Sequence, residues 1–271
     1  MKKIVLVCLM LFVSFQAHAA NKGYALINDS DQVLDGTGTP IGLPRAYSSL
    51  WFHGAESTTT ISAQVLFTQL TDFGAVGNED INTNAVGSTS TDDITIGANG
   101  AGVYDIRIEA SFRNGGGGSS DMYLAPGITL ATPIAIASST DATPIVVATS
   151  SAHGLKTGDA VRIAGHNTNV AANTDCAITV TDTTHFSLQD LAHVNIAGSG
   201  SGVGSGGNVT VIFPGEIALH RKVSQTDLGR GAARGTWDLA VSDVVELYTA
   251  NEDGTDNFIS VQHVLGVFRI E

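Results

Sequence analysis

Apolar residues in this chain alternate with polar ones in short blocks, and no stretch sustains a 3.6-residue period between capping signals. Successive side chains on a strand point to opposite faces, whereas a helix presents one face every three to four residues, so the pattern predicts strands and few helices. Candidate strands are 46–52, 64–70, 93–96, 103–112, 122–124, 145–148, 160–163, 177–180, 186–188, 209–213, 244–249 and 258–270. Turn clusters separate them every 8 to 15 residues, the spacing of a β-sandwich or barrel. With 31 glycines, 43% apolar residues and 14% charged residues in 271, the chain has many tight turns and enough apolar surface for a core, and a disordered chain is not expected.

The first residues, MKKIVLVCLMLFVSFQAHAA, place two lysines before an apolar run and end on a small-x-small pattern at Ala17-His18-Ala19. This reads as a secretory leader cut after Ala19, and the run is shorter than the roughly 20 apolar residues that cross a bilayer core. Cys8 belongs to the leader, so Cys176 is the one cysteine left after cleavage and no internal disulfide is available. Stability must come from core burial, oligomerisation or both. Net charge is −13, or −15 once Lys2 and Lys3 are gone, so long-range electrostatics repel nucleic acid and anionic membranes. No nucleic-acid partner and no membrane span after leader removal are expected.

Two low-complexity stretches, GGGGSS at 115–120 and GSGSGVGSGG at 198–207, read as flexible connectors or loop tips. Between 131 and 207 Phe186 is the one aromatic residue, which predicts a small β-module inside a larger domain. AYSSLWFHGAESTTTISAQVLFTQLTDFGAVGNED and STSTDDITIGANGAGVYDIRIEASFRNGG resemble the first half of a tumour-necrosis-factor-like jelly roll of the complement globular-head type, with Gly102-Val103-Tyr104 opening a core strand. GTWDLAVSDVVELYTANEDGTDNFISVQHVLGVFRIE resembles its second half, with the D-x-V-E-L strand at Asp243 to Leu247. AYSSLWF leading in and FRIE closing are similar to versions common among bacteriophage structural proteins. The middle segment, PIVVATSSAHGLKTGDAVRIAGHNTN followed by AITVTDTTHFSLQDL, resembles the first-catalytic-cysteine half-domain of ubiquitin-activating enzymes, a small β-barrel that recurs in phage tail and fibre proteins. That module does not hold the catalytic cysteine, so no ubiquitin chemistry is implied.

The residues with reactive side chains favour structural roles. His153, Asp159, His166, His185 and His193 are a conceivable metal or acid-base set, but the successive histidines lie 13, 19 and 8 residues apart, without the short ligand pair of a zinc site. His153-Gly154-Leu155 and Gly158-Asp159 read better as turn formers, and His153, Lys156, Asp159 and His166 as candidate surface contacts on a protruding hairpin. Cys176 as a nucleophile would need a base, for which His185 across a hairpin is the candidate; a buried thiol is the simpler reading. No G-x-S-x-G elbow is present, and Gly202, Gly204 and Gly207 match a dinucleotide fingerprint in a segment that continues as strand. Acidic loops at 78–80, 92–93 and 251–256 could take calcium, but acidic turns are usually solvated. The basic residues Arg221, Lys222, Arg230 and Arg234 either carry solubilising charge or pair with acidic loops of a neighbouring subunit. A glycosidase would need two carboxyl groups about 5–10 Å apart, which sequence does not place.

The expected fold is all-β: a jelly-roll β-sandwich with an inserted small β-barrel module, divided as leader 1–19, N-terminal arm 20–44, jelly roll 45–130, barrel 131–207 and jelly roll 208–271. The resemblance implies a homotrimer, with Trp51, Phe112, Tyr123, Tyr248, Phe258 and Phe268 as candidates for its interface or for the core. The expected function is non-catalytic and without cofactors: a virion structural or adhesion protein, a phage head or tail appendage contacting a host surface protein, a glycan or a neighbouring virion protein. The alternative is a secreted bacterial cell-surface binding protein, for which the leader argues.

Overall fold

The computed structural model describes residues 26–27, 33–34, 47–73, 84–213, 215 and 217–270. The leader at 1–19, most of the arm at 20–44 and the acidic segment 78–80 lie outside the described residues. The chain divides into two compact units, Met1–Arg45 and Ala46–Glu271. In the first, β1 (Leu26–Ile27) and β2 (Val33–Leu34) pair antiparallel.

The second unit is all-β in architecture, a sandwich carrying a closed barrel. Its strands are β3 (Tyr47–Thr59), β4 (Thr68–Gln69), β5 (Ala85–Ser88), β6 (Asp93–Ile96), β7 (Gly102–Asn114), β8 (Ser119–Thr129), β9 (Ile134–Ser139), β10 (Val146–Thr149), β11 (Ala160–Ala164), β12 (Asp175–Val180), β13 (His185–Gln189), β14 (Asn208–Phe213), β15 (Leu219–Ser224), β16 (Gly229–Leu239), β17 (Val244–Asn251) and β18 (Phe258–Arg269). One sheet has the order β16-β7-β18-β3. The other runs β5-β6-β17-β8, with β4 also on β17 and β15 on β8. Outside the barrel, the chain passes repeatedly from one sheet to the other, which is jelly-roll connectivity. Tyr104, Ile106, Ile108 and Phe112 of β7 and Leu265 and Val267 of β18 form one buried cluster with Ile94, Leu124, Val245 and Leu247 of the facing sheet.

The six strands β11-β12-β13-β10-β9-β14 close on themselves through β11–β14 pairing, Ile163 opposite Val209. Closure leaves no free edge. Val147, Val161, Ile178, Phe186 and Leu188 fill its interior. β14 and β15 lie along one edge of β8, with Val211 opposite Ile128 and Leu219 opposite Leu124, so the barrel grows out of the sandwich sheet.

In the second unit, four strands lie outside the expected set: β5, β9, β15 and β16. The clearest reason is at β16, GRGAARGTWDL, whose first four inward positions, Gly229, Gly231, Ala233 and Gly235, are small, so no run of large alternating side chains marks the strand. A Cβ on Gly231 would stand 2.5 Å from Leu219 Cδ1. Conversely, the expected strand 64–70 shrinks to Thr68–Gln69, because Val65 turns the chain at φ 64°, a left-handed conformation costly for a β-branched residue.

Candidate functional site

The hairpin at 151–166 is built by its own polar side chains. Leu155 N donates to His153 Nδ1 at 3.0 Å, and His153 Nε2 donates to Asp182 O at 3.1 Å, with the ring edge-on to Phe186 at 5.4 Å. Asp159 accepts from Lys156 N at 2.8 Å and from Gly215 N at 3.0 Å. His166 Nδ1 donates to Gly206 O at 2.7 Å, which leaves Nε2 to accept from Ser139 Oγ at 2.8 Å. His153, Asp159 and His166 are 7%, 3% and 3% exposed, so their expected role as surface contacts is corrected: burial commits these groups to turn geometry. Lys156 alone of the four is exposed.

The same bonds order the glycine-rich stretch 198–207, in place of the expected flexible connector or loop tip. Gly200 N and Gly202 N donate to the Asp141 carboxylate at 3.0 and 2.7 Å, and Ser199 N donates to Asn169 Oδ1 at 3.0 Å. Gly204 lies against His166; a Cβ there would stand 2.2 Å from Nε2, so only glycine permits this approach.

Cys176 is fully buried in β12, and burial pushes its thiol up to about 12. The β12–β13 register sets Val180 opposite Phe186, leaving His185 and Cys176 toward opposite ends of the strand pair. His185 Nδ1 lies instead 2.9 Å from Asp182 Oδ1. Among the described residues no group of three or more His, Cys, Asp or Glu converges as a metal site.

Sequence spacing gives no sign of a third set, Ser260, His263 and Asp72. The fully buried His263 ring stacks on Phe52 at 5.0 Å and meets Phe73 edge-on at 4.6 Å. Its Nδ1 is 3.0 Å from Ser260 Oγ and its Nε2 is 3.0 Å from Asp72 Oδ1. Burial of Asp72 opposes its charge, but His263 and Ser57 outweigh that and hold its carboxyl below the ordinary value. With Ser260 1% exposed and the His263 ring buried between phenyl groups, these side chains are packed as a polar cluster in the core.

Barrel and sandwich are joined through Phe67. Arg162 Nε and Nη2 donate to the two Asp175 carboxylate oxygens at 2.7 and 2.8 Å, Phe67 N donates to Asp175 Oδ2 at 2.9 Å, and Arg162 Nη2 donates to Phe67 O at 2.5 Å. One ion pair thus takes both backbone groups of a single sandwich residue. The Phe67 ring packs with Tyr123 and Phe213 at 5.9 and 5.5 Å. A cleft of about 580 Å³ beside the clamp is lined by Val65, Leu66, Arg162, Asn173 and Ile196.

The aromatic candidates separate. Phe112 and Phe258 stack at 4.8 Å and are fully buried, and Tyr123 belongs to the cluster at Phe67. Tyr248 is half-buried, with its hydroxyl 3.2 Å from Glu246 Oε2. Trp51 and Phe268 are half-buried on the outward face of the four-stranded sheet, alternating with buried Leu50, Phe52 and Val267. On that face Val264 pairs with Trp51, and the Arg107 guanidinium lies 4.6 Å over the Phe268 ring.

The basic residues are each engaged within the chain. Lys222 Nζ is 3.4 Å from Asp121, Arg230 Nε donates to Glu109 at 3.1 Å, Arg234 is 3.3 Å from Asp105, and Arg221 donates to Arg230 O at 2.6 Å. Asp105, 4% exposed, is also held by Arg107 at 2.5 Å through Oδ2, while its Oδ1 is buried without a partner.

No family model matches the chain, and no curated protein does. Among solved structures, VP17, a capsid protein of bacteriophage P23-77, aligns over 85% of this chain and 98% of its own at 11% identity. The TM-score of that alignment is 0.14, too low to carry an argument about fold or role. Among the described residues no helix is long and apolar enough to cross a membrane.

Proposed function

We propose that this chain is a non-catalytic virion structural or adhesion protein, a phage head or tail appendage that forms a homotrimer and contacts a host surface or a neighbouring virion protein. The observation that carries the reading is the outward face of the four-stranded sheet, where Trp51, Val264 and Phe268 lie on paired strands beside Arg107 and Arg234. Trp and Arg are the residue types enriched at the centre of protein interfaces. The jelly-roll strand order supports the tumour-necrosis-factor-like resemblance, which implies threefold assembly. Burial of Cys176, Ser139, His166, Ser260 and His263 supports a role without covalent chemistry.

Light scattering over a wide concentration range tests the assembly: a trimer mass is expected, and Trp51→Arg is expected to yield a folded monomer with an unchanged far-ultraviolet spectrum. A wild-type chain that stays monomeric throughout overturns it. The secreted cell-surface alternative draws on the leader pattern at 1–19. Mass spectrometry separates the two, since the virion reading requires the chain in purified particles and the secreted reading requires it in culture supernatant without them.

A further inference from the structure

β3 is a strand of 13 residues at the end of the four-stranded sheet, and among the described residues it pairs with β18 alone. In an antiparallel ladder one residue sends both its N–H and its C=O to the neighbouring strand and the next sends both away, so half of the backbone polar groups of β3 point out of the sheet. Between Ser49 and His53 no hydrogen bond reaches those outward groups. We propose that this edge receives an extended, uncharged segment of a neighbouring virion protein, added to the sheet as a fifth strand. The assignment deepens the reading of this chain as a virion protein in contact with its neighbours, and rests on it.

An open edge is a template for another chain, and folded proteins blunt such edges with charge, shortness or cover. The other edges of the sandwich are blunted in these ways. β4 is two residues long and β5 four. β15 carries Arg221 and Lys222, β16 carries Arg230, Arg234 and Asp238, and Arg221 Nη1 donates to Arg230 O, which covers part of the β16 edge. From Tyr47 to His53, by contrast, β3 reads YSSLWFH, without lysine, arginine, aspartate, glutamate or proline. That stretch is also the regular part of the strand. Its register with Gln262–Phe268 is unbroken, and the bulge that interrupts β3 lies beyond His53, where Gly54 takes φ 154°. Buried Leu50 and Phe52, the latter stacked on His263 at 5.0 Å, anchor the strand from its inner face, so an incoming segment meets a template that is already ordered.

The edge dictates what occupies it. A row of alternating donors and acceptors at strand spacing is matched by an extended chain, which makes main-chain hydrogen bonds whatever its side chains. The flanking side chains then set its composition. A charged residue set beside Trp51 or Leu50 would lose water and find no opposite charge between Tyr47 and His53, so the segment is uncharged and, like an ordinary strand, about five to seven residues long. The proposed trimer contact uses the side chains on the outward face, whereas strand addition uses the backbone edge, so both can be occupied together.

Hydrogen exchange read by mass spectrometry, on the isolated chain and on the chain in purified particles, tests the assignment. In the isolated chain the outward-directed amides of Ser49–His53 are expected to exchange fast, and in particles to slow at least about tenfold while β7 is unchanged. A benzophenone carried by His53→Cys, where His53 is exposed and Cys176 is buried away from the label, is expected to cross-link in particles to one segment of another protein. The same label on Lys156→Cys, on the barrel, is expected to miss that segment. Particles that contain the chain but leave Ser49–His53 in fast exchange sink the edge assignment alone. Protection already present in the isolated chain, or cross-links only to a second copy of it, gives the edge to self-association and overturns the assignment to a neighbour. Absence of the chain from purified particles sinks the virion reading, and this assignment with it.

Discussion

Asp182 caps its own turn, accepting from Thr184 N at 2.8 Å and Thr184 Oγ1 at 3.1 Å and lying 2.9 Å from His185 Nδ1. The Thr184 amide is the largest influence, and together these groups bring the carboxyl down to about 2. An ordinary aspartate titrates near about 3.9. Because the folded value is depressed, the contribution of this cap to stability is fully present above about pH 4 and is lost as pH falls through about 2. The carboxyl-carbon shift of Asp182 should titrate in that range by NMR, and in Asp182→Asn the exchange protection of the Thr184 amide should lose its acid dependence. Cys176 should be inert toward thiol reagents at pH 8 in the native protein and react fully in denaturant, since its thiol is buried and titrates near 12. The sequence already makes this cysteine solitary, and its inertness comes from packing inside the barrel. The pairing of His263 with Asp72 had no legible sign, because 191 positions separate the two and only β18 packing beside the 60–73 segment brings them together.

At the scale of elements, strands with large alternating side chains were readable and strands of small ones were not. β7, with Tyr104, Ile106, Ile108, Ala110 and Phe112 all inward, declares itself through period two. Phe112→Ala removes one ring of the Phe112–Phe258 stack and should cost about 3–5 kcal/mol in urea unfolding. β16 is a strand because β7 offers it an 11-residue register from Phe112 to Gly102, and its glycines fit beneath side chains of β15. The Arg162–Asp175 clamp was equally hidden: the pair sits across the β11–β12 register, but its target, Phe67, comes from a distant loop. Arg162→Ala would leave the Asp175 carboxylate, 4% exposed, without its cation, at about 3 kcal/mol, the lower end for a buried pair because Arg162 itself is 31% exposed. Faster hydrogen exchange at Phe67 N–H, with exchange in β7 unchanged, would locate that loss at the junction.

At the scale of the whole molecule, β14 serves two modules. It closes the barrel against β11 and pairs with β8 of the sandwich, so where the barrel ends in sequence depends on which pairing is traced. A fragment of residues 131–213 should give a dispersed NMR spectrum, and one of residues 131–207 should not, since it lacks the strand that closes the β11 edge. The surface for the proposed threefold assembly belongs to this scale too, because the outward face bearing Trp51 and Phe268 exists only once β3 and β18 have paired.

The amino-acid sequence alone determined the all-β class, most core strands and a small β-module inside a larger domain, and the family resemblances implied that the module is a barrel and the host a sandwich. The all-β class and the core strands depend on local periodicity and turn chemistry, which a chain carries in its order of residues. Tertiary structure decided which polar side chains are spent on turns and which remain in solvent. His153, Asp159 and His166 looked like surface groups beside Lys156, and burial left Lys156 alone exposed. The physical reason is that exposure and hydrogen-bond commitment are set by neighbours brought together through long-range strand pairing, and no property of a residue or its nearest positions in the chain specifies those neighbours.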